Sequence, residues 1–184
     1  YIGQKIRKIV VSTGVVTTIA GGHDDNYDGQ GTAAGFIRPR GICIDAQNNI
    51  YVADEYAVRK ITTSGLVSTI AGGRTNSGFL NAQGTAAKFG TLSSICVDAT
   101  GNLYAGDMNN GAIRKISPTG LVTDFAGITQ SAYDNASGDT DLVGDTDGTL
   151  TTARFRSIAS LLIHTQGIFV SEWSGHRIRK IELD

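Results

Sequence analysis

The chain has 184 residues, 40% of them hydrophobic, and its 16 Lys and Arg against 17 Asp and Glu give a formal net charge of −1. That is long enough for a packed structure and too balanced for a polyelectrolyte, which argues against nucleic acid as the main partner. No run approaches the roughly 20 apolar residues of a membrane helix, and the opening residue is Tyr1 rather than Met, so a processed chain or a portion of a longer one is expected.

Residues 1–22 read as a partial unit in which Ile6-Arg7-Lys8-Ile9 leads into Gly14-Val-Val-Thr-Thr-Ile-Ala-Gly21. The first phrase returns as Val58-Arg59-Lys60-Ile61, Ile113-Arg114-Lys115-Ile116 and Ile178-Arg179-Lys180-Ile181. The second returns as Gly65-Leu-Val-Ser-Thr-Ile-Ala-Gly72 and Gly120-Leu-Val-Thr-Asp-Phe-Ala-Gly127. Internal repetition therefore governs the reading. Asp24, Asp25 and Asp28 form a small acidic cluster, after which Asp28-Gly-Gln-Gly-Thr-Ala-Ala-Gly-Phe36 reads as a Gly turn, a helical turn over the Ala pair, and a Phe plugged between sheets.

Residues 36–73 form a full unit with strand-type runs at 41–46, 50–54, 57–62 and 66–71, separated by turn residues. Pro39 stiffens the approach to the first run. Asn81-Ala-Gln-Gly-Thr-Ala-Ala-Lys-Phe89 repeats the connecting loop, and residues 89–127 repeat the unit, with runs at 94–98, 103–107, 112–117 and 121–126. Each full unit is a four-stranded antiparallel meander. Apolar residues fall on both parities of the Arg-Lys run, and Ile42-Cys43-Ile44 is continuously apolar, so both faces of a sheet need cover. The expected fold is all-β, with meander sheets stacked face to face. Cys43 and Cys96 occupy equivalent places in neighbouring sheets roughly 10 Å apart, which favours two buried thiols over a bridge.

Residues 128–147 are an acidic insertion that stretches the Arg114 to Arg179 interval to 65 residues, against 52 and 55 for the earlier intervals. It reads as the least structured part of the chain. Asp139, Asp141, Asp145 and Asp147, with Asp134 nearby, could supply oxygen ligands for calcium, although the EF-hand spacing is absent and a solvated acidic loop ranks ahead. Otherwise no cofactor is expected. Asn135-Ala136-Ser137 fits the N-glycosylation pattern. Asp147-Gly-Thr-Leu-Thr-Thr-Ala-Arg-Phe155 gives the third connecting loop, and residues 155–184 a last partial unit.

Asp54, Asp107 and Glu172 end the second run of their units, and Arg59, Arg114 and Arg179 lie on the next. They read as an acid–base ladder at sheet edges, in structural pairs ahead of a ligand-binding row. His23, His164 and His176 share no short spacing, so a zinc site would need all three units to converge. No Ser-His-Asp pattern or phosphate-cradling Gly loop emerges, and no enzyme activity is expected. Tyr56 and Trp173 follow the second run, where packing ranks ahead of partner binding.

Gly41-Ile-Cys-Ile-Asp45, Asn49-Ile-Tyr-Val-Ala-Asp54, Val58-Arg-Lys-Ile61 and Gly65-Leu-Val-Ser-Thr-Ile-Ala-Gly72 together resemble NHL repeats, over essentially the whole chain. The resemblance implies β-propeller blades, usually six, serving mostly as binding platforms for protein or RNA. A minority of relatives are enzymes, including the lyase that completes peptide amidation. The last unit departs from the pattern, with His164 in place of Asp45 and Asp98, and Phe169-Val-Ser-Glu172 in place of Tyr51-Val-Ala-Asp54.

The units offer two, four, four and three strands, thirteen in all, whereas propellers typically need 4 to 8 blades of four. Further blades, several chains, or an open linear stack would reconcile the count. The first run of each unit is as bulky as the last, without the narrowing expected of an axis-side strand, which leans towards the open stack. The expected function is a non-catalytic, extracellular or cell-surface scaffold that assembles head to tail through its incomplete terminal sheets, with itself, adjacent repeats or other proteins as partners. The alternatives are part of a closed six-bladed propeller binding a protein, and a propeller lyase or hydrolase.

Overall fold

Alternation of apolar and polar residues between Gly-rich turns produces short antiparallel strands, and the computed structural model describes them for residues 4–75, 77–135 and 144–183. Sheet 1 is a hairpin of β1 (Lys5–Val10) and β2 (Val15–Gly21). The two-residue β3 (Gly29–Gln30) follows, and then the sheet 2 meander of β4 (Pro39–Ile44), β5 (Ile50–Asp54), β6 (Ala57–Ile61) and β7 (Leu66–Gly72). Here β3 folds back to pair with the outer edge of β7. Sheet 3 repeats the meander with β8 (Leu92–Val97), β9 (Leu103–Asp107), β10 (Ala112–Ile116) and β11 (Val122–Gly127). The insertion opens with a short helix, α1 (Gln130–Asn135), where the sequence suggests a loop. Sheet 4 has three strands: β12 (Ile158–His164), β13 (Gly167–Glu172) and β14 (Arg177–Ile181).

Each sheet turns a back face to the next sheet's front face, and three apolar clusters fill the gaps. Ile6 and Ala20 meet Val52, Ile61 and Val67. Tyr51, Ala53, Val58 and Ala71 meet Ile95, Leu103, Ile116 and Val122. Cys96, Tyr104, Ile113 and Ala126 meet Ile158, Leu161, Ile168 and Val170. A register shift between Val58 and Arg59 pairs Arg59 with Thr69 and Val58 with Ala71, so two residues of β7 only two apart serve opposite faces. The same shift recurs at Ile6/Arg7 and Ile113/Arg114.

The sheets come close at their first strands, with β4 against β8 and β8 against β12. A Cβ on Gly41 would lie 2.4 Å from Ser94 Cα, so that approach requires glycine. Despite the bulk of Ile42 and Ile44, Gly41 and the small Ser94 let the first strands approach closely, which supplies the narrowing of an axis-side strand. The connecting loops contain single 3-10 turns, Gly31–Ala33 and Gly84–Ala86, just ahead of the plugged Phe. Phe36, Phe89 and Phe155 are all buried. Phe89 presses on Gly72, whose φ of 71° and 2.8 Å virtual Cβ contact with the ring leave no room for a side chain.

Candidate functional site

The acids and arginines singled out in the sequence come together, and they do so inside the stack rather than along exposed edges. Arg59 Nη1 lies 3.4 Å from Asp54 Oδ2, Arg114 Nη1 3.4 Å from Asp107 Oδ2, and Arg179 Nη1 3.7 Å from Glu172 Oε2. Asp54, Arg59, Asp107 and Arg114 are fully buried. The edge-ladder expectation fails because each Arg points from the third strand into the gap where the connecting loop packs.

A guanidinium removed from water needs most of its donors engaged. The connecting loop supplies the acceptors in the same way three times. The carbonyl just before the plugged Phe accepts from the Arg: Gly35 O at 2.9 Å, Lys88 O at 3.2 Å and Arg154 O at 2.6 Å. The guanidinium carbon sits 5.1, 5.4 and 4.7 Å from the centroids of Phe36, Phe89 and Phe155. On the other side of the Phe, the acid accepts a backbone N–H, from Ile37 at 2.9 Å to Asp54 and from Arg156 at 2.6 Å to Glu172. Acid and arginine thus clamp the peptide that carries the Phe. Phe79 adds a further ring 4.0 Å from the Arg114 guanidinium.

A second carboxylate completes each clamp, and its source varies. Asp28 reaches Arg59 at 3.0 Å and also accepts from Thr69 Oγ1. At Arg114 the loop residue is Asn81, and the charge has moved to the strand as Asp124, 3.7 Å away. Asp147 pairs with Arg179 at 2.7 Å. Aligning the connecting loops makes Asp28, Asn81 and Asp147 equivalent, a signal available in the sequence and missed when Asp147 was grouped with calcium ligands. Asp145 is likewise engaged, 3.3 Å from Arg177. Asp139 and Asp141 lie outside the described residues, as do residues 136 and 137 of the sequon that begins at Asn135, the last residue of α1.

Burial pushes Asp107 up to about 6 and raises Asp54, outweighing the hydrogen bonds and arginine charges that lower both. At the hairpin turns the balance reverses. Partial burial would raise Asp45, but the Asn49, Tyr51 and Gln47 donors together hold it below the usual carboxylate range, and Asp98 is lowered likewise by Asn102 and Thr100. Cys43 and Cys96 are free thiols, each pushed up to about 12 chiefly by burial. Among the described residues no three His, Cys, Asp or Glu side chains gather around a point where a metal ion could sit.

The remaining prominent features are the two end faces. Ile61 and Ile116 are fully buried on their front faces, yet Ile9, their equivalent in sheet 1, is 62% exposed. Val58 and Ile113 are fully buried on their back faces, whereas Ile178 of sheet 4 is 74% exposed. Ile42, Ile44 and Leu162 are exposed too, and Trp173 stands out on the turn after β13. A cleft of about 810 Å³ runs along β14 between Leu150, Phe155 and Ile181, and one of about 210 Å³ lies between Lys5, Arg7, Arg40 and Ile42.

Residues 3–78 match the family model of the teneurin NHL domain. Comparison with curated proteins gives no match. Among solved structures, the chain is similar to an auxiliary nutrient binding protein from Bacteroides thetaiotaomicron VPI-5482, at 19% identity and a TM-score of 0.71, over 96% of this chain and 42% of that one. A structural genomics protein of unknown function from the same organism gives 25% identity and a TM-score of 0.73, again over 96% and 42%. An auxiliary nutrient binding protein from Bacteroides ovatus ATCC 8483 gives 18% and 0.71, over 97% and 43%. The chain therefore spans about two fifths of the length of these structures. The likeness to the family model is confined to residues 3–78, and the structural likeness shows an all-β, propeller-like arrangement of antiparallel sheets.

Proposed function

We propose that this chain of NHL-type repeats is a non-catalytic structural scaffold that joins head to tail with sheets of its own kind, in an extracellular or cell-surface assembly. The observation that carries this reading is the match between interior and ends. The positions that seal the internal interfaces, Val58 and Ile113 on one face and Ile61 and Ile116 on the other, recur uncovered as Ile178 and Ile9. Exposed apolar surface arranged like an interior interface is surface built to be covered. The buried carboxylates are occupied by arginines and backbone N–H groups, which supports a structural rather than a chemical role for them. Asp145 and Asp147 are likewise paired with arginines, so the reading includes no bound calcium.

Light scattering over a dilution series, with electron microscopy of the concentrated sample, tests it. The expected result is mass that rises with concentration and linear particles with sheets roughly 10 Å apart along the axis. A monomer at every concentration would refute it. Closed rings would favour a share in an ordinary propeller that binds a protein on its loop face, a second reading supported by the exposed Trp173 and the TM-scores above 0.7.

A further inference from the structure

We infer that the turn joining β5 to β6 anchors a carboxylate-bearing peptide, held by Arg38 and Arg40 and backed by the buried acid Glu55. The site lies on the seam between sheets 2 and 3 and draws no residue from sheets 1 or 4, so it stands whether or not the stack assembles.

What recurs in every unit is architecture, and what departs from the repeat has another reason. The clamp of acid, arginine and Phe recurs three times. The residue after the clamp acid does not: it is Glu55 in sheet 2, Met108 in sheet 3 and Trp173 in sheet 4. Arg38 and Arg40 stand where sheet 3 has Thr91 and Ser93 and sheet 4 has Ser157 and Ala159. Three charged residues thus enter together at one turn.

Glu55 is an unfavourable residue in this place. Its φ of 52° lies in the left-handed region, which disfavours a side chain, and it is only 3% exposed. Its carbonyl accepts from Leu92 N at 2.8 Å, which fixes the turn against sheet 3. Oε1 accepts from Arg38 Nη1 at 2.9 Å, whereas Oε2 is buried without a hydrogen bond, 3.8 Å from Arg40 Nη2. A strained, incompletely satisfied acid is a poor stabilising device, and such residues gather at functional sites.

The geometry decides the sign of the ligand. Oε2 is sealed from solvent, so a ligand meets not the carboxylate but the two guanidiniums in front of it, whose side chains are 45% and 37% exposed. Two positive charges against one leave the cluster net positive. The adjacent acid, Asp54, is fully buried and engaged by Arg59 and by the Ile37 and Arg38 N–H groups. Across the seam Thr91 and Asn109, bonded to each other, are polar and uncharged. An oxyanion is therefore attracted, and the guanidinium fork matches a planar carboxylate. Glu55 acts as a positioning residue that offsets the repulsion between the two forks. A nucleic acid fits less well, because the chain has a net charge of −1 and the ring at this turn, Tyr56, is half-buried and gives bases no open platform.

Titration of the full chain with a capped hexaglutamate peptide, followed by NMR of the backbone amides beside hexaglutamine, inorganic phosphate and oligouridine, tests this. Hexaglutamate alone should shift the Arg38, Glu55 and Tyr56 amides. Arg38→Lys/Arg40→Lys keeps both charges but loses the forks, and should weaken binding about tenfold. Glu55→Gly relieves the backbone, so it should unfold at a urea concentration no lower than the parent's and yet bind hexaglutamate less tightly, despite its gain in net positive charge. Unmoved amides, or a lysine variant that binds as tightly as the parent, would overturn the site. A Glu55→Gly chain less stable than the parent would make Glu55 a structural acid and overturn it as well. Equal shifts with phosphate would overturn the peptide in favour of a free anion, and shifts with oligouridine would do so in favour of nucleic acid.

Discussion

Asp54 and Asp107 occupy the same place in consecutive sheets, yet they are solvated differently by the protein. Asp54 accepts from the Ile37 and Arg38 N–H groups at 2.9 and 2.7 Å as well as pairing with Arg59. Asp107 accepts from Asn110 Nδ2 at 2.9 Å and pairs with Arg114, and its other oxygen is buried without a well-formed hydrogen bond. Burial accordingly wins, raising the carboxyl from 3.8 to about 6. The folded protein holds this proton more tightly than the unfolded chain does. The stabilisation is complete below about pH 4 and is lost as pH rises through about 6. The parent should therefore become less stable across that window, by on the order of 1 to 3 kcal/mol from this group, and Asp107→Asn should flatten the slope. Asp45 and Asp98 have the opposite sign, since their lowered carboxyls lose stabilisation only as pH falls below the ordinary range. Urea unfolding of parent and variant at several pH values between 4 and 7 checks this, and equal slopes would contradict it.

Among the elements, the strands, their order and their stacking were legible because they are local. Ile42-Cys43-Ile44 needs cover on both sides, and the repeated phrases fix which strand follows which. The destination of Arg59 and Arg114 was not legible, because an Arg-Lys pair on a strand looks like a solvated edge. What buries these arginines is a loop distant in sequence, with Asp28 31 residues from Arg59 and Asn81 33 from Arg114. The exchange of Asp28 and Thr69 in one clamp for Asn81 and Asp124 in the next keeps two carboxylates around each arginine. Changing one member should break that balance. Asn81→Asp would crowd a third carboxylate against Asp107 and Asp124, and Asp124→Thr would leave Arg114 with one. Each should cost about 1 to 3 kcal/mol. The double variant recreates the Arg59 arrangement and should recover at least about 1 kcal/mol of the summed loss, as a double-mutant cycle by denaturant unfolding would measure. Additive losses would mean that the two positions do not share the arginine.

At the scale of the whole molecule, the same side chain has opposite consequences according to its place in the stack. Ile113 and Ile178 hold equivalent positions on β10 and β14, the first fully buried between sheets 3 and 4, the second 74% exposed on the end face. Putting a carboxylate at Ile113 would bury a charge with no cation provided for it, among Tyr104, Ala126, Phe155 and Ile168. Ile113→Asp should thus cost several kcal/mol and abolish cooperative folding of the chain. Ile178→Asp meets only solvent in the free molecule, so its unfolding midpoint should stay within about 0.5 kcal/mol of the parent. If the end face works as an interface, however, that aspartate must be desolvated whenever two molecules join, and assembly by light scattering should be lost while the fold is retained. An Ile178→Asp chain that assembles like the parent would show that the back face of sheet 4 is not covered in the assembled form. The contrast between the two variants thereby separates what holds one stack together from what joins one stack to the next.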